Sequence, residues 1–409
     1  PGSPGTVATL RGLELAPGDP SVGLPSPPGL AITSVGTSTD SLDLLLEDCT
    51  LTGKLRTSGT GDAACAVTVV DSLLLDDLNL FGTLTTPIQI ALKDCEVVGA
   101  TIVTCNDAFG SPRKMVLDLA RTAFEGTVAL NATAGGSLTT TSTSCIVDGT
   151  GQPLAIGVRV LGDAVAQFTN TTVTGWWIGI EGVAGASWHN LLLHGNDSDL
   201  AGVLPGQIQT SLIEDGTYDG LDGNFAGPAW LDADLALLDC SPGLDAGSNT
   251  APGLGAKDVY GNPRILDNDG DLTATVNVGA VEPTGSVAGQ ALPFNGSGLN
   301  PVTYAAVTVP AIGQTFLASV GTTQDTVLTV VVVDVPAGPF VGPAWVGELL
   351  LGLTGSALFD YALGAHALPL PSDCSLVGLT VASQGFRLDD VGGVVTTHCL
   401  NGLDLTVGG

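Results

Sequence analysis

The residues able to do chemistry are few and scattered. Asp76-Asp77 is an adjacent pair of carboxylates. Acid–base cleavage of a glycosidic bond needs two carboxyl groups at a defined separation. A solvated turn pair is the plainer reading, since surface acids mostly have no further role. Cleavage of a uronate would need a cation or basic group to neutralise the sugar carboxylate, plus a base. Arg113, Lys114, Arg121 and Arg159 are the only Lys and Arg residues between positions 94 and 256, and they form no recognisable base motif.

Trp176, Trp177 and Trp188 could stack on sugar rings or make an intersubunit contact, or could pack in a core. Trp176 and Trp177 are adjacent, so in a strand one points in and the other out. Asp267-Asn268-Asp269-Gly270-Asp271 resembles a short calcium loop, with Asp267, Asp269 and Asp271 as alternating oxygen ligands. It lacks the distal bidentate Glu of a twelve-residue loop, and a solvated acidic turn is the alternative. The tract Ser137–Ser144 reads as a polar loop or a site for O-linked sugar.

Composition narrows the classes. Among 409 residues there are 41 acidic and 11 basic ones, for a formal charge of -30. Eleven basic side chains cannot track a phosphate backbone, which argues against nucleic acid. Glycine (57) and proline (24) are abundant, with Val, Leu and Thr between them, as in chains of many short strands and tight turns. No apolar run reaches the roughly 18 residues of a membrane span. The chain opens on Pro1 without a basic-apolar leader, so an export signal is expected to have been removed.

The elements that would carry these residues come in repeats. Leu44 to Gly53, Leu73 to Gly82 and Ile90 to Gly99 share one order: apolar, acidic, apolar, glycine. Weaker copies close at Gly126, Gly149, Gly175, Gly195 and Gly220. A period of this size means one coil per repeat. Short strands would stack in parallel, with glycine where a turn needs positive φ. The expected fold is all-β: a right-handed parallel β-helix followed by a small antiparallel β-sandwich. The expected divisions are 1-40, an N-terminal arm or cap; 41-283, the β-helix; and 287-409, the sandwich.

Eight cysteines, an even number, suit an oxidising compartment. Cys49 and Cys95 hold the same place in their repeats, with Leu78 in the coil between. Stacked coils put their α-carbons about 9–10 Å apart, beyond disulfide reach. Each must therefore find another partner. The candidate pairs are the local Cys49–Cys65 and Cys95–Cys105, and Cys374–Cys399 within the second domain, with Cys145–Cys240 by elimination.

Residues 241–282 contain Ser241-Pro242-Gly243-Leu244-Asp245-Ala246-Gly247, then Asp258-Val259-Tyr260-Gly261-Asn262-Pro263-Arg264-Ile265, then Val276-Asn277-Val278-Gly279-Ala280-Val281-Glu282. These resemble, in order and spacing, the closing signature of the choice-of-anchor Q family, SPAIDAG, DLDGNPRI and VDIGAYE. Asn277 departs from the family's Asp. The resemblance covers residues 205–283 and, by extension, the upstream repeats. It implies a secreted bacterial β-helix with an interchangeable anchoring tail. Asp245, Arg264 and Glu282 are the charges in otherwise apolar or glycine-rich turns. A buried guanidinium must be paired, so Arg264 is expected to bridge both carboxylates and tie the last coil to its cap. The alternative is a substrate-binding arginine.

These features point to a non-enzymatic protein of the cell surface or extracellular space, self-assembling into a filament or layer. No cofactor is required on this reading, with calcium the one candidate ion. The expected partners are further copies of the chain or an extracellular glycan, without nucleic acid or membrane insertion. A glycan-binding adhesin and a polysaccharide lyase or glycoside hydrolase are the alternatives.

Overall fold

A computed structural model describes residues 6–11, 14–15, 30–34, 42–51, 55–59, 65–82, 88–106, 114–133, 136–150, 152, 154–182, 185–267, 273–283, 288–353 and 357–409. The chain divides into two units: residues 1–237 with 241–283, and residues 238–240 with 284–409.

The first unit is a parallel β-helix. Its coils contribute strands to three parallel sheets of nine, nine and eight strands, here sheets 1, 2 and 3. Alternation sets the inward face: in Ile88–Lys93, Ile88, Ile90 and Leu92 are buried while Gln89 and Lys93 are exposed. Stacking turns this alternation into columns. Leu46, Val69, Leu92, Leu119, Ser142, Phe168, Trp188 and Ile208 share one column on sheet 1. Leu51, Leu74, Val97, Phe124, Val147, Val173, Leu193 and Ile213 share another on sheet 2. All these residues are buried, and all but the polar Ser142 belong to a single hydrophobic core.

Four expectations need correction. The register matches Leu44 with Val67 and Ile90, so Leu73 pairs with Thr50 and Glu96 instead of opening a repeat. Ser72, not Leu78, therefore lies between Cys49 and Cys95, and the Cys49 N–H donates to its hydroxyl at 3.1 Å. The described residues of the 1-40 span do not form a separate arm: Thr6–Arg11, Glu14–Leu15 and Leu30–Ser34 pair in parallel with the next coil. Finally, Ser137–Thr143 is a strand, not a loop, with Leu138, Thr140 and Ser142 turned inward.

The fourth correction is the disulfide set. Cys240 bonds Cys374, their α-carbons 5.8 Å apart, and both lie in the second unit. Cys374–Cys399 and Cys145–Cys240 are therefore not formed, and neither are Cys49–Cys65 and Cys95–Cys105. The other six cysteines are buried thiols. Cys65 starts a sheet 1 strand and Cys105 lies in sheet 3, whereas Cys49 and Cys95 stand at the corner after sheet 1. The members of each expected local pair thus sit at different points around the coil.

The second unit is antiparallel. Its five-stranded sheet runs Gln290–Phe294, Val394–Thr406, Thr380–Val391, Thr326–Asp334 and Leu358–Ala362. A three-stranded sheet of Tyr304–Ala306, Thr315–Val320 and Ala365–Pro369 faces it across a core that includes Tyr304, Phe316, Val331 and Leu403.

Candidate functional site

The corner between sheets 1 and 2 organises the outside of the β-helix. Each coil turns there on one residue of positive φ: Asp48, Asp71, Asp94, Arg121, Ser144, Asn170, Asn190 and Thr210, all between 49° and 56°. Asp and Asn tolerate this left-handed conformation better than other non-glycine residues. The glycines expected at positive φ serve other turns: the repeat-closing Gly175, Gly195 and Gly220 adopt φ of 78°, 62° and 73°. The residue after each corner residue points inward and is small in every one of these coils but one, where it is the buried Leu191. Cys49, Ser72, Cys95, Thr122, Cys145, Thr171 and Ser211 each donate to the carbonyl two residues back, at 2.7 to 3.5 Å. The three cysteines of this column stand in for Ser and Thr as small donors. Burial pushes the Cys95 thiol up to about 11 and raises Cys145 as well. Such thiols stay protonated and are not nucleophiles.

Over the later coils the chain covers this corner itself. Residues after 224 lay Ala229, Leu237 and Val278 on the outward Leu192 and Leu212 of sheet 2, and Ala236, Ala280 and Val281 on Ile146. The corner side chains hold the main chain of this strap. Ser144 Oγ donates to the Lys257 carbonyl (2.9 Å) and Asn170 Nδ2 to that of Asn277 (2.8 Å). Asn190 accepts from the Ser248 N–H (2.8 Å) and donates to the Ser248 carbonyl (3.1 Å). Gly279, at φ 87°, comes so close to sheet 2 that a Cβ there would lie 2.9 Å from Leu192 Cβ.

The closing signature supplies this strap, and Arg264 is its lock. Arg264 is 1% exposed and Glu282 0%. Nη1 donates to Glu282 Oε1 and to the Gly279 carbonyl, both at 2.9 Å; Nη2 donates to the carbonyls of Ala280 (2.8 Å) and Asn170 (3.5 Å); Nε donates to Ser144 Oγ (3.2 Å). Asp245 is not among its partners, which corrects the expected double bridge. Its backbone N–H instead donates to Asn277 Oδ1 (2.5 Å), and Asn277 Nδ2 donates to Glu282 Oε2 (2.6 Å). Asn277 can do both because it is an amide; an aspartate could only accept. The second carboxylate near the lock is Asp258, which accepts from the Glu282 N–H (3.0 Å). Burial lowers Arg264 and raises Glu282, and their pairing opposes both shifts.

The strap stops short. Past Ala123 and Val259 the corner lies open as a groove of about 520 Å³, lined by Asp71, Leu73, Asp94, Glu96, Arg121 and Tyr260. Arg121 binds Asp94 through two bonds, Nε–Oδ1 (2.5 Å) and Nη2–Oδ2 (2.7 Å), which raises the Arg121 pKa.

The remaining sequence candidates disperse. Trp176 is buried with Nε1 donating to the Val147 carbonyl (3.0 Å), and Trp188 is buried against Phe168 at 4.5 Å. Trp177 is 49% exposed. Asp76 Oδ1 accepts from the Asp77 N–H (2.7 Å), and Asp77 Oδ1 from the Ala100 N–H (3.1 Å), so the pair shapes a turn. Arg159 pairs with Glu181 on sheet 3, away from Arg121. Asp269 and Asp271 lie outside the described residues, while Asp267 is exposed. Sequence reasoning missed the corner ladder and the groove. The available signal was a recurring polar-then-small dipeptide: Asp48-Cys49, Asp71-Ser72, Asp94-Cys95 and Ser144-Cys145.

The chain matches no family model, no curated protein and no solved structure.

Proposed function

We propose that this is a non-enzymatic structural protein of the extracellular space or cell surface, which joins its own copies into a filament or layer. The observation that carries the reading is the strand Leu358–Ala362. It ends the five-stranded sheet, and Leu358, Phe359 and Tyr361 on it are all more than half exposed. Phe359 and Tyr361 stack at 6.4 Å. An edge strand with exposed apolar side chains is a template for pairing with another chain, and the one charge on this strand, Asp360, is paired with His366 Nδ1 at 2.8 Å. Two sets of groups able to do chemistry serve structure: Arg264 and Glu282 lock the strap, and Asp199 and Asp215 each accept the other's backbone N–H, at 3.0 and 2.9 Å. The disulfide and the resemblance of the strap to the choice-of-anchor Q signature support an exported protein.

The test is light scattering across a concentration series, for the wild type and for Phe359→Lys/Tyr361→Lys. Assembly in the wild type that is lost in the variant supports the reading. Equal assembly in both moves the interface elsewhere, and monomers throughout overturn it. A glycan-binding role is the second reading, carried by the half-exposed Trp177. It requires sugar binding that Trp177→Ala abolishes.

A further inference from the structure

We infer that the open corner groove over the coils of Cys65–Val70, Ile88–Lys93 and Lys114–Ala120 receives an extended segment of a partner protein that carries a lysine or arginine.

The groove continues an interface the chain already makes with itself. At Ser144, Asn170 and Asn190 the corner side chains grip the main chain of the strap, while Ile146, Leu192 and Leu212 are buried beneath it. At Asp71 and Asp94 no described residue grips the corner in this way, and near Arg121 the strap reaches only as far as Val259, Tyr260 and Gly261. The sheet 2 floor there is Leu73, half-buried, and Glu96, exposed. Adjacent coils stand about 4.8 Å apart and an extended chain advances about 3.3 Å per residue. The three open coils therefore span some three to four residues of a partner.

The change of side chains sets the partner's chemistry. Asn170 and Asn190 both donate and accept; aspartate only accepts. Asp71 is thus suited to main-chain N–H groups or to a cation. Arg121 is already engaged with Asp94, so Asp71 and Glu96 are the charges left to a partner. The ring of Tyr260, 58% exposed, forms a wall on which the stem of a lysine or an arginine fork can lie. A second copy is a poor source of this segment, because 11 basic residues stand against 41 acidic ones.

The test uses the full chain and two fluorescein-labelled probes, a Lys-Val-Lys-Val-Lys peptide and its Glu-Val-Glu-Val-Glu counterpart, with a neutral cello-oligosaccharide as competitor. Fluorescence anisotropy at low salt should show saturable binding of the lysine peptide only. Asp71→Asn/Glu96→Gln should weaken it about tenfold or more, and rising salt should weaken it further. Both side chains lie at the surface, so the variant should keep the wild-type circular dichroism and melting temperature; Ala123→Trp, which fills the groove from its floor, should abolish binding independently. Binding of the lysine peptide that neither variant alters, absence of binding up to about 1 mM, or displacement by the oligosaccharide would each overturn the inference.

Discussion

Arg264 Nη1 lies 2.9 Å from Glu282 Oε1 with both side chains sealed from solvent, and this pair fastens the strap to the outside of the β-helix. Around it, three backbone carbonyls and the Ser144 hydroxyl take the remaining guanidinium bonds.

Breaking this lock on one side leaves a buried charge without its partner. Arg264→Ala should lower the unfolding free energy by about 3–5 kcal/mol. Gly279→Ala should also destabilise, since it demands both a left-handed backbone and space already filled by Leu192. Urea unfolding measures both. A change under about 1 kcal/mol for Arg264→Ala would show that the strap holds without its lock.

The same pair gives a pH signature. Burial pushes the Glu282 carboxyl from 4.5 up to about 7, against the pull of Arg264 and Asn277. Between those values the folded chain holds the proton more tightly than the unfolded one. The stability from this group is fully present below about 4.5 and is lost as pH rises through about 7. Glu282→Gln does not titrate here. The stability gap between wild type and Glu282→Gln should therefore shift in favour of the wild type as pH falls from about 8 to about 5. A gap that stays flat contradicts the shift.

The corner cysteines should behave as hydroxyl equivalents. Cys95→Ser should change stability by less than about 1 kcal/mol, because Ser72 already fills that role one coil earlier. Cys95→Leu should cost about 1–3 kcal/mol through overpacking. Thiol titration should find six thiols per denatured chain and almost none in the native protein. Fewer than six in denatured chains would mean further disulfides.

The β-helix was legible because inward alternation and a coil-length period leave marks in any sequence: Leu44 and Ile90 were matched correctly two coils apart. The intermediate coil was misread because Leu73 to Leu80 mimics the apolar run of a sheet 1 strand, though Leu73–Leu74 belongs to sheet 2. The disulfides misled because an even cysteine count suggested pairing, whereas Cys49, Cys95 and Cys145 answer a corner geometry that Ser and Thr satisfy equally. The pairing of Arg264 with Glu282 was legible, but not its other partners: Arg264 reaches Ser144 and Asn170 across 120 and 94 residues of chain, and no local pattern encodes such contacts. The groove was invisible for the same reason, since it exists only where the strap ends.

The most direct measurement of the structural reading is electron microscopy of the native, unconcentrated protein, beside Phe359→Lys/Tyr361→Lys. The account predicts regular fibres or sheets for the wild type and dispersed particles for the variant. Dispersed single particles in both would contradict it and would make sugar binding at Trp177 the next assay.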